Sequence, residues 1–236
     1  MSGVEGMLPV TVPNRRVRAT YDRVAGLYAH TIARFEAPSQ RRAVAELDLS
    51  PGDTVVDIGC GPGRVLPALA DRVGPTGEVL GVDAAPSMLA QARRRAGRTG
   101  VTGRLSLTLG DARRLPVADG AVDAVCVFDV LDLFTRGDLE RVLDECHRVL
   151  TPEGRLCVVT MDRASIADST FLRAYEWAYR RVPRFETVGC RPIPATAVLQ
   201  GADFAVQSVT RLRRGGIWPV GVFVCTPAGA ADNPTG

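Results

Sequence analysis

Short apolar runs alternate with amphipathic segments through the middle of the chain. Runs rich in Val, Ile and Leu, each bounded by Gly, Pro or Asp, predict five strands at 54–58, 79–82, 105–109, 122–128 and 155–160. Between them, apolar residues at helical spacing predict helices at about 63–73, 86–95 and 137–150. Alternation of strands and helices is typical of a parallel sheet with helices on both faces.

The two ends of the pattern differ from the middle. Between positions 17 and 47 the spacing predicts two helices ahead of the first strand, interrupted by Pro38. After the fifth strand it predicts a helix at 165–181, a Pro-containing connection at 182–196, and two strands at 204–212 and 217–225 joined by an Arg-Arg-Gly-Gly turn. We therefore expect a helical cover at 1–45 that does not fold independently, a main domain at 46–228, and a flexible tail at 229–236.

Composition narrows the class of protein. The 236 residues are 46% hydrophobic and 23% charged, which fits a globular, soluble chain. A net charge of +3 gives no field that would indicate a nucleic-acid partner. All basic residues are Arg, so chemistry that needs a Lys Schiff base, including that of pyridoxal phosphate, is excluded.

Cysteine and histidine usage argues against a metal site. The six Cys are scattered singly, without a CxxC pair, and only two His are present. We interpret the Cys as buried thiols in a reducing compartment. The first residues lack a signal-peptide pattern, and no apolar run approaches the roughly 18 residues of a membrane span, so a cytoplasmic location is expected.

The strongest motif is Val-Val-Asp-Ile-Gly-Cys-Gly-Pro-Gly-Arg at 55–64. An apolar strand ends in an acid, Asp57, and continues into Gly59, Gly61 and Gly63 before a helix. Such glycines let the backbone approach a ligand at the carboxyl end of the first strand, where open α/β sheets bind ligands. A dinucleotide loop would need Gly at position 64, where this chain has Arg64, so tight packing over a pyrophosphate is not expected.

Three further groups follow the next strands. Asp83 lies 20 residues beyond Gly63, where an acid can accept hydrogen bonds from two ribose hydroxyls. Gly-Asp-Ala at 110–112 follows the third strand and offers a carboxylate and an amide that suit an adenine. Phe-Asp-Val-Leu at 128–131 ends the fourth strand and faces the same crevice. Together they indicate an adenosine-like ligand.

This order of motifs, from about position 51 to 161, resembles the class I S-adenosylmethionine-dependent methyltransferases. Tyr-Asp-Arg-Val-Ala-Gly-Leu-Tyr at 21–28, Gly-Asp-Ala-Arg-Arg-Leu-Pro at 110–116 and Arg-Val-Leu-Thr-Pro-Glu-Gly-Arg-Leu at 148–156 are similar to the quinone-biosynthesis C-methyltransferases and their small-molecule relatives. The resemblance implies a Rossmann-like, doubly wound, mostly parallel seven-stranded sheet with an antiparallel C-terminal hairpin and an N-terminal helical cover. It also implies S-adenosyl-L-methionine as cofactor and a small-molecule acceptor as the partner.

The resemblance assigns roles to particular residues. It implies that Asp57 and the backbone of Gly59, Gly61 and Gly63 hold the methionyl part, and that Asp83 and Ala84 lie at the ribose. It also implies that Asp111 and Ala112 hold the adenine and that Met88 packs against the adenine ring. Phe128 would lie near the methyl end of the cofactor, and Tyr21 and Tyr28 would close over it from the N-terminal segment.

The acceptor side of the site is less specified. Methyl transfer from a sulfonium releases a neutral leaving group, so holding the reactants in line can supply most of the rate. If a general base is used, the candidates are His30 and Asp129; Asp129 has the alternative roles of a cap or a cofactor contact. The aromatic residues of 171–179 either line an acceptor pocket or pack their helix against the core.

Two functions remain open. The first is methyl transfer to a small, apolar or aromatic acceptor whose C, O or N atom is undecided. The alternative is a cyclase or isomerase that keeps the cofactor pocket but does not methylate. A nicotinamide oxidoreductase is disfavoured by Arg64, and a nucleic-acid methyltransferase by the balanced charge. The exposed edge of the closing hairpin leaves room for a homodimer.

Overall fold

A computed structural model describes residues 7–10, 32–166, 169–182 and 191–229. Its strands are β1 (Thr54–Ile58), β2 (Glu78–Asp83), β3 (Leu105–Leu109), β4 (Val122–Phe128), β5 (Leu150–Thr160), β6 (Phe204–Arg214) and β7 (Trp218–Pro227). Its α-helices are α1 (Ile32–Glu46), α2 (Leu66–Val73), α3 (Pro86–Thr99), α4 (Arg136–Val149), α5 (Thr170–Arg181) and α6 (Ala195–Gln200). Short 3₁₀ turns lie at Thr102–Arg104, Leu131–Leu133 and Arg163–Ile166.

The seven strands form one sheet in the order β3-β2-β1-β4-β5-β7-β6. The first five strands are parallel to one another, and β7 runs antiparallel to both β5 and β6. The order reverses direction at β1, so the carboxyl ends of β1 and β4 open a crevice at a topological switch point. The predicted fold, a mostly parallel seven-stranded sheet with an antiparallel C-terminal pair, is confirmed.

Helices cover both faces of the sheet. Successive residues of a strand point to opposite sides, so each strand contributes buried side chains to both faces. On one face, Val56 and Val125 pack with Leu143 of α4 and Leu199 of α6. The other face carries α1, α2 and α3, which contribute apolar side chains to a second buried cluster. Ala43, Val44 and Leu47 of that cluster are almost fully buried, which makes α1 part of the core rather than a loose cover.

Several predicted helices have different bounds in the structure. The interruption predicted at Pro38 is wrong, because α1 continues through Pro38, and α3 extends beyond the predicted end at 95 to Thr99. The helix predicted from position 63 begins at Leu66, because Gly61 and Gly63 have φ values of 53° and 72°, which a helix cannot contain. The segment predicted as one helix at 165–181 starts in the last two residues of the 3₁₀ turn Arg163–Ile166 and ends with α5. Ser169 caps α5 by accepting from the Leu172 amide at 3.1 Å.

The helix α6 is absent from the sequence prediction. It has six residues, begins after Pro194, and its length gives too few turns for a clear periodic signal. The predicted limits of the cover, main domain and tail stay predictions; of the predicted cover, the structure describes residues 7–10 and α1. Within the described part of the chain, no helix is both long and apolar enough to cross a membrane.

Candidate functional site

The glycine-rich loop after β1 is folded against the end of β2. The amides of Gly59 and Cys60 both donate to the Val82 carbonyl, at 2.7 and 3.1 Å. Gly59 has a φ of 69°, and a Cβ there would lie 2.4 Å from Cγ2 of Val130. Arg95 of α3 donates from Nε to the Pro62 carbonyl at 3.0 Å, which holds the far end of the loop. The loop is therefore a fixed surface rather than a loose connection.

Asp57 lies at the base of this loop, on β1 between β2 and β4. Its side chain is 2% exposed, and its Oδ2 has no hydrogen-bond partner among the described residues. Burial, with the nearby charge of Asp83 as a smaller cause, raises the pKa of this carboxyl to about 8. A buried carboxylate oxygen without a partner is costly, so this position favours a cationic ligand group that would pair with it.

Asp83 ends β2 beside the loop. Its Oδ2 accepts from the Gly61 amide at 2.8 Å, and its Oδ1 accepts from the Ala85 amide at 2.8 Å. Each carboxylate oxygen can accept more than one hydrogen bond, so these contacts orient the group without exhausting its acceptor capacity. Ala84 is exposed and Met88 is buried in the first turn of α3. The predicted ribose contact thus stands directly against the predicted methionyl loop.

The loop after β3 carries Asp111 and Ala112. The Gly110 amide donates to the Asp83 carbonyl at 3.1 Å, which brings this loop beside β2. Arg113 forms a two-pronged contact to Asp111, from Nε at 2.9 Å and from Nη2 at 2.6 Å. The Arg113 side chain is the main cause that lowers the pKa of Asp111 below its ordinary value. Asp111 is therefore an oriented, ionised acceptor in the loop after β3, with a partner that sequence spacing did not predict.

A pocket opens above Asp57. The predicted residues Asp57, Gly59, Gly61 and Phe128 all line it, and Phe128 is 6% exposed at the end of β4. The same pocket is also lined by residues outside the prediction, namely Glu36, Gln40, Cys60, Pro62, Arg64 and Val65. Gly63 adjoins the pocket, where its missing Cβ lets Ala92 of α3 pack within 2.8 Å of the position that a Cβ would occupy.

Glu36 and Gln40 reach the pocket from α1, one helical turn apart. Their spacing of four residues, just ahead of the buried positions Ala43, Val44 and Leu47, was the available sequence signal. Polar residues on a helix are more often solvated, so the pattern alone did not single them out. Arg64 was predicted only as the residue that argues against a dinucleotide, and the structure places it in the pocket wall.

Asp129, a predicted candidate base, is bound in a buried ion pair. Its Oδ2 lies 2.8 Å from Nη2 of Arg214, and the two side chains are 4% and 3% exposed. Gln40 also donates to this oxygen at 3.3 Å. Asp129 has a φ of 59°, an unusual conformation for a residue other than Gly, which turns the chain sharply at the end of β4.

Other predicted residues lie apart from the pocket or outside the described chain. Tyr21, Tyr28 and His30 lie outside the residues that the structure describes. The aromatic residues of α5 pack with one another and with Trp218: Phe171 stacks on Tyr175, and Tyr175 meets Trp218 edge to face at 5.5 Å between ring centroids. Trp177 of the same helix points outward and is 64% exposed.

Comparison with known proteins gives matches over the same region. Residues 55–154 match the family model described as "Methyltransferase domain". Nocamycin O-methyltransferase of Saccharothrix syringae is 38% identical over 136 residues, which are 58% of this chain and 48% of that protein. The 2-phytyl-1,4-naphtoquinone methyltransferase of Nostoc is 33% identical over 153 residues, which are 63% of this chain and 66% of that protein.

A solved structure shows the same fold over nearly the whole chain. The 1,6-didemethyltoxoflavin-N1-methyltransferase of Burkholderia thailandensis, solved with its substrate and S-adenosylhomocysteine, has a TM-score of 0.70 at 18% identity, covering 94% of this chain and 95% of that one. The chain spans less than half the length of several of the curated relatives that it matches. The matches confirm the family resemblance inferred from the sequence motifs.

Proposed function

We propose that this chain, whose residues 55–154 belong to the class I S-adenosylmethionine-dependent methyltransferase family, transfers a methyl group from S-adenosyl-L-methionine to a small-molecule acceptor. The observation that carries the proposal is the buried Asp57, whose Oδ2 has no partner among the described residues and faces a glycine-rich pocket. When bound, the cofactor supplies a methyl group on a positively charged sulfur. Its methionyl part also carries an ammonium and a carboxylate.

The charges in the pocket fit the methionyl part of this cofactor. Asp57 would lose its proton when the ammonium binds and would then supply the negative charge that pairs with it. Arg64, which lines the same pocket, would supply a positive charge for the carboxylate. Asp57→Asn and Arg64→Gln should each weaken binding of S-adenosylhomocysteine by tenfold or more and leave binding of 5′-methylthioadenosine, which lacks the amino acid, within about twofold.

The nucleoside part of the cofactor fits the ends of β2 and β3. Asp83 is oriented by the amides of Gly61 and Ala85 toward the crevice, where it would accept from the ribose hydroxyls. Asp111 would accept from the adenine amine while Arg113 holds its carboxylate in place. Met88 and Ala84 of the neighbouring turn, and Ala112, complete the proposed nucleoside contacts.

Substitution of Asp83 by Ala tests the nucleoside assignment. The variant should lose calorimetric binding of both S-adenosylhomocysteine and 5′-methylthioadenosine, because both carry the ribose. Asp71→Ala is the matched control, since Asp71 is 74% exposed on α2 and lies away from the crevice. Undiminished binding by the Asp83 variant would refute the role of this carboxylate.

Positioning of the two reactants is the proposed source of rate enhancement. The leaving group is neutral, so residues that hold the acceptor in line with the methyl group can supply most of the effect. Asp129 is better suited to hold the structure together than to act as a base, because its Oδ2 already accepts hydrogen bonds from Arg214 and Gln40 in a buried position. His30 remains the other candidate base.

The acceptor that we propose is small and apolar or aromatic. The aromatic cluster of Tyr175, Phe171 and Trp218 supports this acceptor class, because Trp218 begins β7 and the start of β7 pairs with the carboxyl end of β5. Incubation with the cofactor and a panel of phenols, quinones and aromatic amines should give a product heavier by one methylene, with release of S-adenosylhomocysteine. A product of unchanged mass would instead favour the cyclase or isomerase alternative. None of the described residues specifically supports that alternative.

We also propose a cellular location and an oligomeric state. A cytoplasmic location is supported by five buried, unpaired cysteines among the described residues. A homodimer through the exposed edge of β6 is also proposed, and sedimentation of the purified protein tests it.

A further inference from the structure

Three separate parts of the chain meet at the buried side chain of Arg214, the last residue of β6. Its Nε donates to Oγ of Ser39 on α1 at 2.7 Å, and its Nη2 donates to Oδ2 of Asp129 at 2.8 Å. Beside it, the ring of Phe35 lies against the hairpin turn, where a Cβ at Gly215 would be 3.1 Å from Phe35 Cε2. One guanidinium therefore connects the C-terminal hairpin, α1 and the end of β4.

Each branch of this connection ends at the wall of the proposed cofactor pocket. Asp129 directly follows Phe128, and Gln40 donates to the same Oδ2 that Arg214 holds. Ser39 donates from Oγ to the carbonyl of Glu36 at 2.8 Å. Glu36, Gln40 and Phe128 all line the pocket. A displacement of Arg214 would be transmitted to these three wall residues through Ser39 and Asp129, to which Arg214 donates directly.

A buried ion pair is an inefficient way to stabilise a fold, since desolvation of the two charges offsets much of their attraction. What such a pair does well is fix geometry, because its directional hydrogen bonds are satisfied in only one arrangement. Asp129 lies at the turn that follows β4 and has a φ of 59°, which is uncommon for a residue other than Gly. The ion pair with Arg214 holds it in this conformation.

We propose that Arg214 is a positioning residue that holds α1 against the end of β4 and thereby sets the shape of the cofactor pocket. The proposal rests on the function proposed above and extends it to the C-terminal hairpin, 150 residues after Arg64 in the sequence. It predicts that the hairpin, which does not itself line the pocket, controls cofactor affinity.

Arg214→Gln is the direct test, with Arg213→Gln as the matched control because Arg213 is exposed on the same strand. Loss of a charged hydrogen-bond partner should raise the calorimetric Kd for S-adenosylhomocysteine about tenfold. The control should stay within about twofold of the wild type. Hydrogen exchange of the α1 amides, measured without ligand, should be faster in Arg214→Gln and unchanged in Arg213→Gln. Arg214→Lys keeps the positive charge but loses the planar guanidinium that donates to two partners. Its Kd and its α1 exchange rate should lie between those of Arg214→Gln and the control.

The outcomes separate the possible failures. A purely structural role for Arg214 would lower the Tm but leave the Kd of the folded protein unchanged, and that result would overturn the proposal while the cofactor assignment stood. Absence of S-adenosylhomocysteine binding by the wild type would overturn both. If Arg214→Gln does not fold, Ser39→Ala removes one bond to Arg214 and keeps the ion pair; it should raise the Kd about threefold, and an unchanged Kd would refute the proposal.

Discussion

Asp57 creates a conflict between stability and ligand binding that a single substitution can expose. Its pKa is raised to about 8 from the usual 3.8, chiefly by burial. Between these two values the folded protein keeps a proton on Asp57 that the unfolded chain has lost, so stability falls as pH rises through that window. Asn has no such proton, and Asp57→Asn should remove this pH-dependent penalty.

The size of the effect follows from the raised pKa. Each pH unit between the two pKa values costs about 1.4 kcal/mol, so the penalty at pH 7 is about 4 kcal/mol. A change of this size in a chain of this length corresponds to a rise in Tm of about 10 °C. The unliganded Asp57→Asn protein should therefore be more stable than the wild type at pH 7, although it binds the cofactor worse.

Urea unfolding of the wild type and Asp57→Asn at several pH values from 4 to 8 measures the difference directly. The gap between the two free energies of unfolding should be small at pH 4 and should widen steadily toward pH 8. The exposed Asp71→Asn serves as a control that should follow the wild type. Parallel curves for Asp57→Asn and the wild type would refute the reasoning about this buried carboxyl.

Three further predictions test other parts of the structure. Gly59→Ala should lose about 2 kcal/mol or more of stability, because its φ is 69° and its Cβ would meet Val130. Gly97→Ala, in an open part of α3, should instead gain about 1 kcal/mol. A Gly59→Ala protein that melts at the wild-type temperature would show that the loop is free to adjust. Arg191→Met should cost about 3 kcal/mol in urea, because the buried guanidinium donates to the carbonyls of Leu8, Asp132 and Phe134, and a cost no greater than that of the exposed Arg93→Met would contradict this role. Native protein at pH 8 should resist thiol labelling at the buried residues, since burial raises the pKa of each; mass spectrometry that found rapid labelling before unfolding would show that the core opens. These thiols are Cys60, Cys126, Cys146, Cys157 and Cys225.

The features that the sequence predicted are those encoded locally. Asp57 and Asp83 lie at the carboxyl ends of β1 and β2, and the glycine loop at 59–63 follows β1 directly, so neighbours along the chain are also neighbours in the site. Parallel pairing of β1 with β2 and β4 then brings these loops to one edge of the sheet. The mostly parallel sheet, and the meeting of these loops at one of its edges, were therefore predictable without contacts between distant residues.

The features that the sequence did not predict depend on contacts between distant segments. The ion pair of Asp129 and Arg214 joins residues 85 positions apart, and no periodicity encodes which charges will meet. The sequence does not show that Arg214 pairs with Asp129. An acid at the end of a strand, taken without its partner, has the same sequence pattern as a general base. Gln40 and Glu36 reach the pocket only because α1 packs across the sheet, a tertiary arrangement that a helical pattern alone does not fix.

Calorimetric titration of the wild-type protein with S-adenosylhomocysteine, with NADH as the control ligand, tests the central claim most directly. The account predicts one S-adenosylhomocysteine bound per chain and no binding of NADH, because Asp57 and Arg64 suit an amino acid moiety and Arg64 stands where a dinucleotide loop requires Gly. Binding of NADH without S-adenosylhomocysteine, or binding of neither, would contradict it.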